Sequence, residues 1–272
     1  MEYGINIGYF KRMTDIKTAA ELISKAGFTM LDYTPRLLND DWKNELCESM
    51  KIFEYYGLTV HQTHSPFNRY GTYGKDHKLC LERCAEATEL MGAKFMVAHG
   101  DEFDFENMEF SPDAALEYNH SLYLPYVKRA EENGYKIAFE TVFEDMDRRR
   151  YTSRAEELMD IIRSFDSECA VCCWDFGHAN VSFGDDAPDI IKKFGSLIQC
   201  THLHDNTGMD SHQVPMTGDI KWDRTMSAFG DIGYNGVLSI EYAHGTMPEI
   251  FTEDLINLSY KTARYLGESC IK

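Results

Sequence analysis

The amino-acid sequence predicts a single (β/α)8 barrel over residues 1–272, and three observations carry that prediction. Short apolar runs rich in β-branched and aromatic residues alternate eight times with longer amphipathic segments, and no proline-rich linker or shift of composition interrupts them. The joints leading from a helical segment into a strand are short and carry glycine. The joints leading from a strand into a helix are long and chemically rich, as they are on the functional face of a barrel.

In chain order, strands are expected at residues 3–8, 29–33, 58–63, 94–99, 136–141, 170–175, 197–202 and 236–242. Their side chains suit strands buried on both faces, as in a parallel sheet. Helical segments are expected near 15–26, 41–56, 76–91, 113–133, 153–165, 186–194, 222–229 and 250–267, with Asp113, Ser153 and Asp185 as N-caps of three of them. Gly27, Gly57, Gly92, Gly134, Gly195 and the Gly230/Gly233/Gly236 group fall where a helix C-terminus calls for a left-handed residue. A doubly wound open sheet shares the alternation but usually has fewer strands and a phosphate fingerprint. Neither G-x-G-x-x-G nor G-x-x-x-x-G-K-[ST] occurs in this chain.

Composition narrows the function classes. With 43% hydrophobic and 26% charged residues and seven prolines, the chain is neither disordered, collagen-like nor a coiled coil. By surface scaling it should expose roughly 12,000 Å² of the roughly 45,000 Å² of its unfolded form, a core large enough to need no disulfides. The longest apolar runs, such as Lys94 to Ala98, are strand-sized and far short of the roughly 20 residues that span a bilayer. The opening Met1-Glu-Tyr-Gly-Ile-Asn has no basic or apolar leader, which predicts a cytoplasmic protein. In that compartment the eight cysteines read as small core hydrophobes, and Cys169-x-x-Cys172 lacks the second pair of a zinc module. The net charge of −18 repels polyanions and argues against nucleic acid as a partner. Arg148-Arg-Arg150, the one compact basic run, reads as a solvated loop.

Ionisable residues at the C-terminal ends of apolar strands carry the chemistry. His64, His99, Glu140, Asp175, His202 and Glu241 put a candidate metal ligand at the end of six of the eight strands. Three buried carboxylates converging on one barrel mouth would each suffer several kcal/mol of desolvation, so they require a cation or several paired bases. Glu140, Asp175, His202 and Glu241 are therefore assigned as ligands of one divalent metal. Their oxygen-rich set favours Mn²⁺, Mg²⁺ or Co²⁺ over a thiolate-type zinc. His64 and His99 are open between ligand, substrate contact and support of a ligand. His61, His77, His120 and His244 read as structural.

The succession Phe-Glu140-Thr, Trp-Asp175-Phe-Gly-His178, Thr201-His-Leu-His-Asp-Asn206, Asp210-Ser-His212, Gly218-Asp-Ile-Lys-Trp222 and Ile-Glu241 resembles the sugar phosphate isomerase/epimerase family with the xylose isomerase-like barrel. The resemblance covers nearly the whole chain. It implies one divalent metal on Glu140, Asp175, His202 and Glu241. It also implies that Glu140 and Glu241 move protons on opposite faces of a substrate carbon, as in ketose 3-epimerases, while His178 contacts substrate oxygens. The loop after the seventh strand departs from the family's usual Pro-Gly-x-Gly and reads Pro215-Met-Thr-Gly218. The implied substrate is a small sugar or sugar phosphate, handled by proton abstraction next to a carbonyl through a metal-stabilised enediolate. His64, His99, Asp210, His212 and Trp222 join His178 as candidate substrate contacts. Tyr9, Phe10, Tyr33, Phe67 and Trp174 are further aromatic candidates to stack on a sugar, and Lys11, Arg12, Arg36 and Arg69 to hold an anion.

Two alternatives share the barrel. A trinuclear-zinc phosphodiesterase of the apurinic-site endonuclease type would use His64, His99, His178, Asp210 and His212 as additional ligands. A sugar or inositol-type dehydratase would follow the same proton abstraction with loss of a β-hydroxyl. Candidate lid segments are 65–75, 101–112 and 206–221. The sequence is compatible with a homo-oligomer and sets no number of copies.

Overall fold

The computed structural model describes residues 1–11, 13–67, 76–100, 111–144, 150–242 and 247–270. Its elements run β1 (Glu2–Asn6), α1 (Ile7–Phe10), α2 (Ile16–Ala26), β2 (Met30–Asp32), α3 (Trp42–Tyr55), β3 (Thr59–His64), α4 (His77–Met91), β4 (Phe95–Ala98), α5 (Pro112–Asn133), β5 (Lys136–Glu140), α6 (Ala155–Ser164), β6 (Ala170–Asp175), α7 (Phe176–Phe183), α8 (Ala187–Phe194), β7 (Ile198–His202), α9 (Trp222–Asp231), β8 (Val237–Ile240) and α10 (Thr252–Cys270). The eight strands form one parallel sheet in the order β7-β6-β5-β4-β3-β2-β1-β8. Closure comes just past the end of β7, where the Leu203 amide donates to the Ser239 carbonyl at 2.7 Å and the Glu241 amide to the Leu203 carbonyl at 3.2 Å. The result is a (β/α)8 barrel with 12531 Å² of exposed surface, close to the value that mass alone predicts.

Alternation along the strands explains where the functional groups stand. Side chains two apart on a strand share a face. Phe95, Val97, Ala138, Val171, Cys173 and Cys200 form a separate apolar cluster. Ala138, Cys173 and Cys200 each lie two residues before Glu140, Asp175 and His202, so this cluster fills the barrel interior directly beneath those polar ends. The intervening residues face the helices. Trp174, fully buried, packs on Phe183 of α7 and Phe194 of α8.

Several local expectations are corrected. The first strand stops at Asn6, whose side chain accepts from the Gly8 amide at 2.9 Å and starts a short helix. The N-cap of α5 is Ser111 rather than Asp113, with Pro112 at the first helical position where its missing N–H costs nothing. Arg154, not Ser153, precedes α6, and Asp186, not Asp185, precedes α8; neither makes a side-chain cap. The last helix runs to Cys270. Gly27, Gly57, Gly92, Gly134, Gly195 and Gly233 do take positive φ at the helix-to-strand joints. Among the described residues no helix is long and apolar enough to cross a membrane, and Cys47, Cys80, Cys84, Cys169, Cys172, Cys173 and Cys200 are free.

Candidate active site at the barrel mouth

The mouth is built from strand ends. Glu140, Asp175 and His202 close β5, β6 and β7, and Glu241 follows β8. One ligand atom from each lies within 4.8 Å of the others, and all four residues are buried. His202 sits at the centre. Its Nδ1 is 3.0 Å from Glu140 Oε1 and 3.1 Å from Glu241 Oε2, and its Nε2 is 3.0 Å from Asp32 Oδ2 at the end of β2.

Glu140 is ringed by imidazoles. His99 Nε2 approaches its Oε2 at 2.7 Å and His64 Nε2 at 3.1 Å, while His178 Nδ1 lies 3.4 Å from Oε1. Burial pushes the Glu140 carboxyl up, but the charges of His202 and His99 and the hydrogen bonds from His178 and His202 hold it well below the usual carboxylate range. The imidazoles respond in kind. Burial opposes charge on His64, and Glu140 outweighs it, raising His64 to about 9. Burial also opposes charge on His202, and Glu241 and Glu140 raise it well above the ordinary histidine value. His99 goes the other way, to about 4, because burial outweighs the same carboxylate. The four-residue set offers a divalent ion three carboxylates and one imidazole.

A second cluster adjoins the first. Ligand atoms of His178, His204, Asp210 and His212 also lie within 4.8 Å of one another. Asp175 links the two clusters. Its carboxylate accepts from His204 Nε2 at 2.9 Å and from the His178 amide at 2.6 Å, where it caps α7. The rings of His204 and His212 stack at 3.9 Å. Gly177 lets His204 lie against the start of α7, since a Cβ there would come within 1.9 Å of the ring. Between Asp210 and the two histidines, His178 Nε2 is 3.7 Å from Oδ2 and His212 Nε2 is 3.3 Å from Oδ1. Burial raises the Asp210 carboxyl, and these two imidazoles hold it far below its ordinary value.

Every residue of the His202-Leu-His-Asp-Asn206 run has a structural consequence. Asp205 staples the loop after β7, accepting from the Met216 amide at 2.9 Å, the Ile220 amide at 3.3 Å and the Trp222 indole at 2.8 Å. Asn206 donates to the Gly177 carbonyl at 2.8 Å. Trp222 donates its indole N–H to Asp205 and packs its ring on Phe176, so it supports the loop after β7. Phe10, Tyr33 and Trp174 are likewise buried in packing against Tyr242, Phe53 and the outer helices. Tyr9 and Phe67 do reach the mouth. The Tyr9 hydroxyl is 3.5 Å from Glu241, and the Phe67 ring lies 4.4 Å from that of His99.

The basic candidates divide similarly. Lys11 and Arg36 both pair with Glu45, at 3.3 and 2.9 Å. Arg150, expected in a solvated run, is 3% exposed, with its guanidinium over the rings of Phe67 and Phe143 at 4.5 and 5.0 Å. Arg12, Arg69, Arg148, Arg149, His244 and the greater part of segments 65–75 and 101–112 lie outside the described residues. Asp32 and His204 were not singled out as site residues in the sequence, although each carried a signal. Asp32 closes β2 one residue before the expected strand end at Tyr33, and His204 shares the face of His202 by its spacing of two.

The chain matches the Xylose isomerase-like TIM barrel family over residues 20–261. It belongs to that family. Among solved structures with this barrel, a D-tagatose 3-epimerase-like protein aligns at TM-score 0.76 with 20% identity, covering 97% of this chain and 98% of the other. D-psicose 3-epimerase from Clostridium cellulolyticum H10, solved with D-tagatose, aligns at 0.75 with 17% identity over 100% of both chains. The IolI protein with a bound zinc aligns at 0.78 with 18% identity over 99% of both. At these identities the likeness is one of fold. A relative at the sequence level, the uncharacterized protein MJ1311 of Methanocaldococcus jannaschii, is 28% identical over 190 residues, which cover 68% of this xylose isomerase-like chain and 64% of that protein.

Proposed function

We propose that this xylose isomerase-like barrel is a divalent-metal-dependent isomerase or epimerase of a sugar or sugar phosphate, moving a proton at the carbon next to a carbonyl. The observation that supports this most is the convergence of Glu140, Asp175, His202 and Glu241 within 4.8 Å at one buried mouth. Their donor set fits Mn²⁺ best, with Mg²⁺, Co²⁺ and Zn²⁺ as other candidates. When bound, the cation supplies Lewis-acid stabilisation of the negative charge that develops on substrate oxygens as the proton leaves.

The rest falls to the chain's own carboxylates and imidazoles. Glu140 and Glu241 both approach His202 Nδ1, at 3.0 and 3.1 Å, so two carboxylates meet at one point of the mouth. One carboxylate takes the proton and the other returns it. Return to the opposite face gives an epimer, return to the neighbouring carbon with movement of the hydroxyl proton from one oxygen to the other gives an aldose–ketose isomer, and loss of a β-hydroxyl instead gives a dehydrated product. Glu241, contacted by Asn6 and Tyr9 only at 3.5 Å, is the less restrained of the pair. His178, His64, His99, Asp210 and His212 surround the carboxylates as hydrogen-bonding partners for sugar hydroxyls.

The test is solvent exchange. Protein reloaded with Mn²⁺ is incubated in D2O with free and phosphorylated ketopentoses and ketohexoses, and deuterium at the carbon beside the carbonyl is followed by proton NMR. Metal-dependent uptake on at least one sugar is expected. No uptake on any, with cleavage of abasic-site DNA by the zinc-loaded protein, would replace this reading by a phosphodiesterase. That second reading is favoured by the additional groupings His178/His204/Asp210/His212 and His64/His99/Glu140.

A further inference from the structure

Asp32 ends β2, and the register between β2 and β3 shifts between Leu31 and Asp32, so that Asp32 pairs with Gln62. An irregularity of this kind re-aims the side chain that follows it. The Asp32 carboxylate reaches His202 on β7, with Oδ2 3.0 Å from Nε2. Gln62 Nε2 donates to the same oxygen at 3.2 Å and to the carbonyl of Thr201, the residue before His202, at 3.5 Å. Asp32, Gln62 and His202 are 1%, 0% and 0% exposed, so water does not compete for these contacts.

The two nitrogens of His202 therefore face different jobs. Nδ1 looks onto Glu140 and Glu241 at 3.0 and 3.1 Å, with Asp175 at 3.9 Å, whereas Nε2 meets Asp32. An imidazole can offer a lone pair at one nitrogen only if the other keeps the proton. We infer that Asp32 is a positioning residue: by accepting the Nε2 proton it locks His202 in the tautomer whose Nδ1 lone pair points at the three carboxylates. A charged acceptor also makes the ring a better donor to a cation than a neutral one would, and Gln62 keeps that acceptor from turning away. This rests on the metal-dependent reading above.

Binding of Mn²⁺ alone tests it. Protein stripped with a chelator is titrated with Mn²⁺, and the free ion is counted by electron paramagnetic resonance for the wild type, Asp32→Asn and Asp32→Leu. Outer partners of ligating histidines are typically worth about 10- to 100-fold in metal affinity. A loss of that size is expected in Asp32→Leu, with a smaller loss of at least about 3-fold in the near-isosteric Asp32→Asn. The ring itself gives a second readout. In Zn²⁺-loaded protein labelled with ¹⁵N-histidine, the His202 Nε2 proton should show a strongly hydrogen-bonded downfield shift and slow exchange in the wild type, and lose both in Asp32→Leu. Should Asp32→Leu fail to fold, Asp32→Asn decides alone. Wild-type affinity in the variants overturns the role of Asp32 and leaves the metal reading standing. A wild type that binds no Mn²⁺ overturns both.

Discussion

Strand β3 carries two histidines three residues apart, His61 in the wall of the barrel and His64 at its mouth, and burial acts on both. His61 packs edge-on against Phe95, and burial with nearby Lys94 lowers it to about 4. His64 has Glu140 at 3.1 Å and rises to about 9 despite its burial. The backbone shows the same contrast between the ends of the molecule. Where helices return to strands, left-handed positions are mostly glycines, and the exception is Asp166, a short polar residue that tolerates the conformation. At the mouth, His212 and Met216 take φ of +44° and +76° with full side chains. The wall minimises charge and strain, and the mouth holds both in place.

The contrast breaks most completely at Glu140. Replacing it by Gln removes the carboxylate that raises His64 and one of the two groups proposed to move protons. Exchange at the sugar carbon should fall by about 10²- to 10⁴-fold, the range for a positioned acid–base group. In metal-free protein, NMR titration should find His64 brought down toward or below the ordinary histidine value, behaving as His61 does, while His61 stays near 4. A His64 still near 9 in Glu140→Gln would mean that another group sets its charge.

The next effect lies in the wall. Unfolded, His61 takes up a proton as pH falls below about 6.5; folded, it resists until about 4. The unfolded state therefore binds more protons through this window, and stability contributed by neutral His61 drains away as pH falls from about 6.5 to about 4. A shift of that size corresponds to about 3 kcal/mol. His61→Leu, which also removes a buried Nε2 lacking a hydrogen-bond partner, should flatten the acid side of the stability profile by about that amount. Urea unfolding at pH 7 and pH 4.5 measures it, and equal losses in wild type and variant would put the acid sensitivity elsewhere.

These two regions were unequally legible in the sequence. The barrel follows from periodicity and from glycines at Gly27, Gly57, Gly92 and Gly134, because those signals are local. Glu140, Asp175, His202 and Glu241 were legible for the same reason: an ionisable residue closing an apolar strand has few places to go but the mouth. Trp174, one of several aromatic candidates for a sugar platform, neighbours Asp175 and so faces the opposite way, onto Phe183 and Phe194. Trp222 could not be read, since its partner Asp205 lies 17 residues away across a loop. Asp32 is positioned by a register shift against β3, a relation between two strands that neither segment states alone.

The smallest effect concerns the Pro215-Met-Thr-Gly218 loop after β7. Met216 takes φ of +76°, a conformation that costs a residue with a Cβ roughly 1–2 kcal/mol. Its amide still donates to Asp205 at 2.9 Å, and the loop is held by the Ile220 and Trp222 contacts to the same carboxylate, so the surroundings impose the strain. Its side chain is 48% exposed and contributes little packing. Met216→Gly should relieve the backbone and give back part of the gain through the greater freedom of glycine in the unfolded chain, leaving a net stabilisation of about 0.5–1 kcal/mol. For a chain of this size that is a rise in Tm of about 1–3 °C. Met216→Ala is the control, because it trims the side chain while keeping the Cβ at positive φ. A rise in the glycine variant alone assigns the effect to the backbone; an equal rise in both would assign it to the exposed methionine.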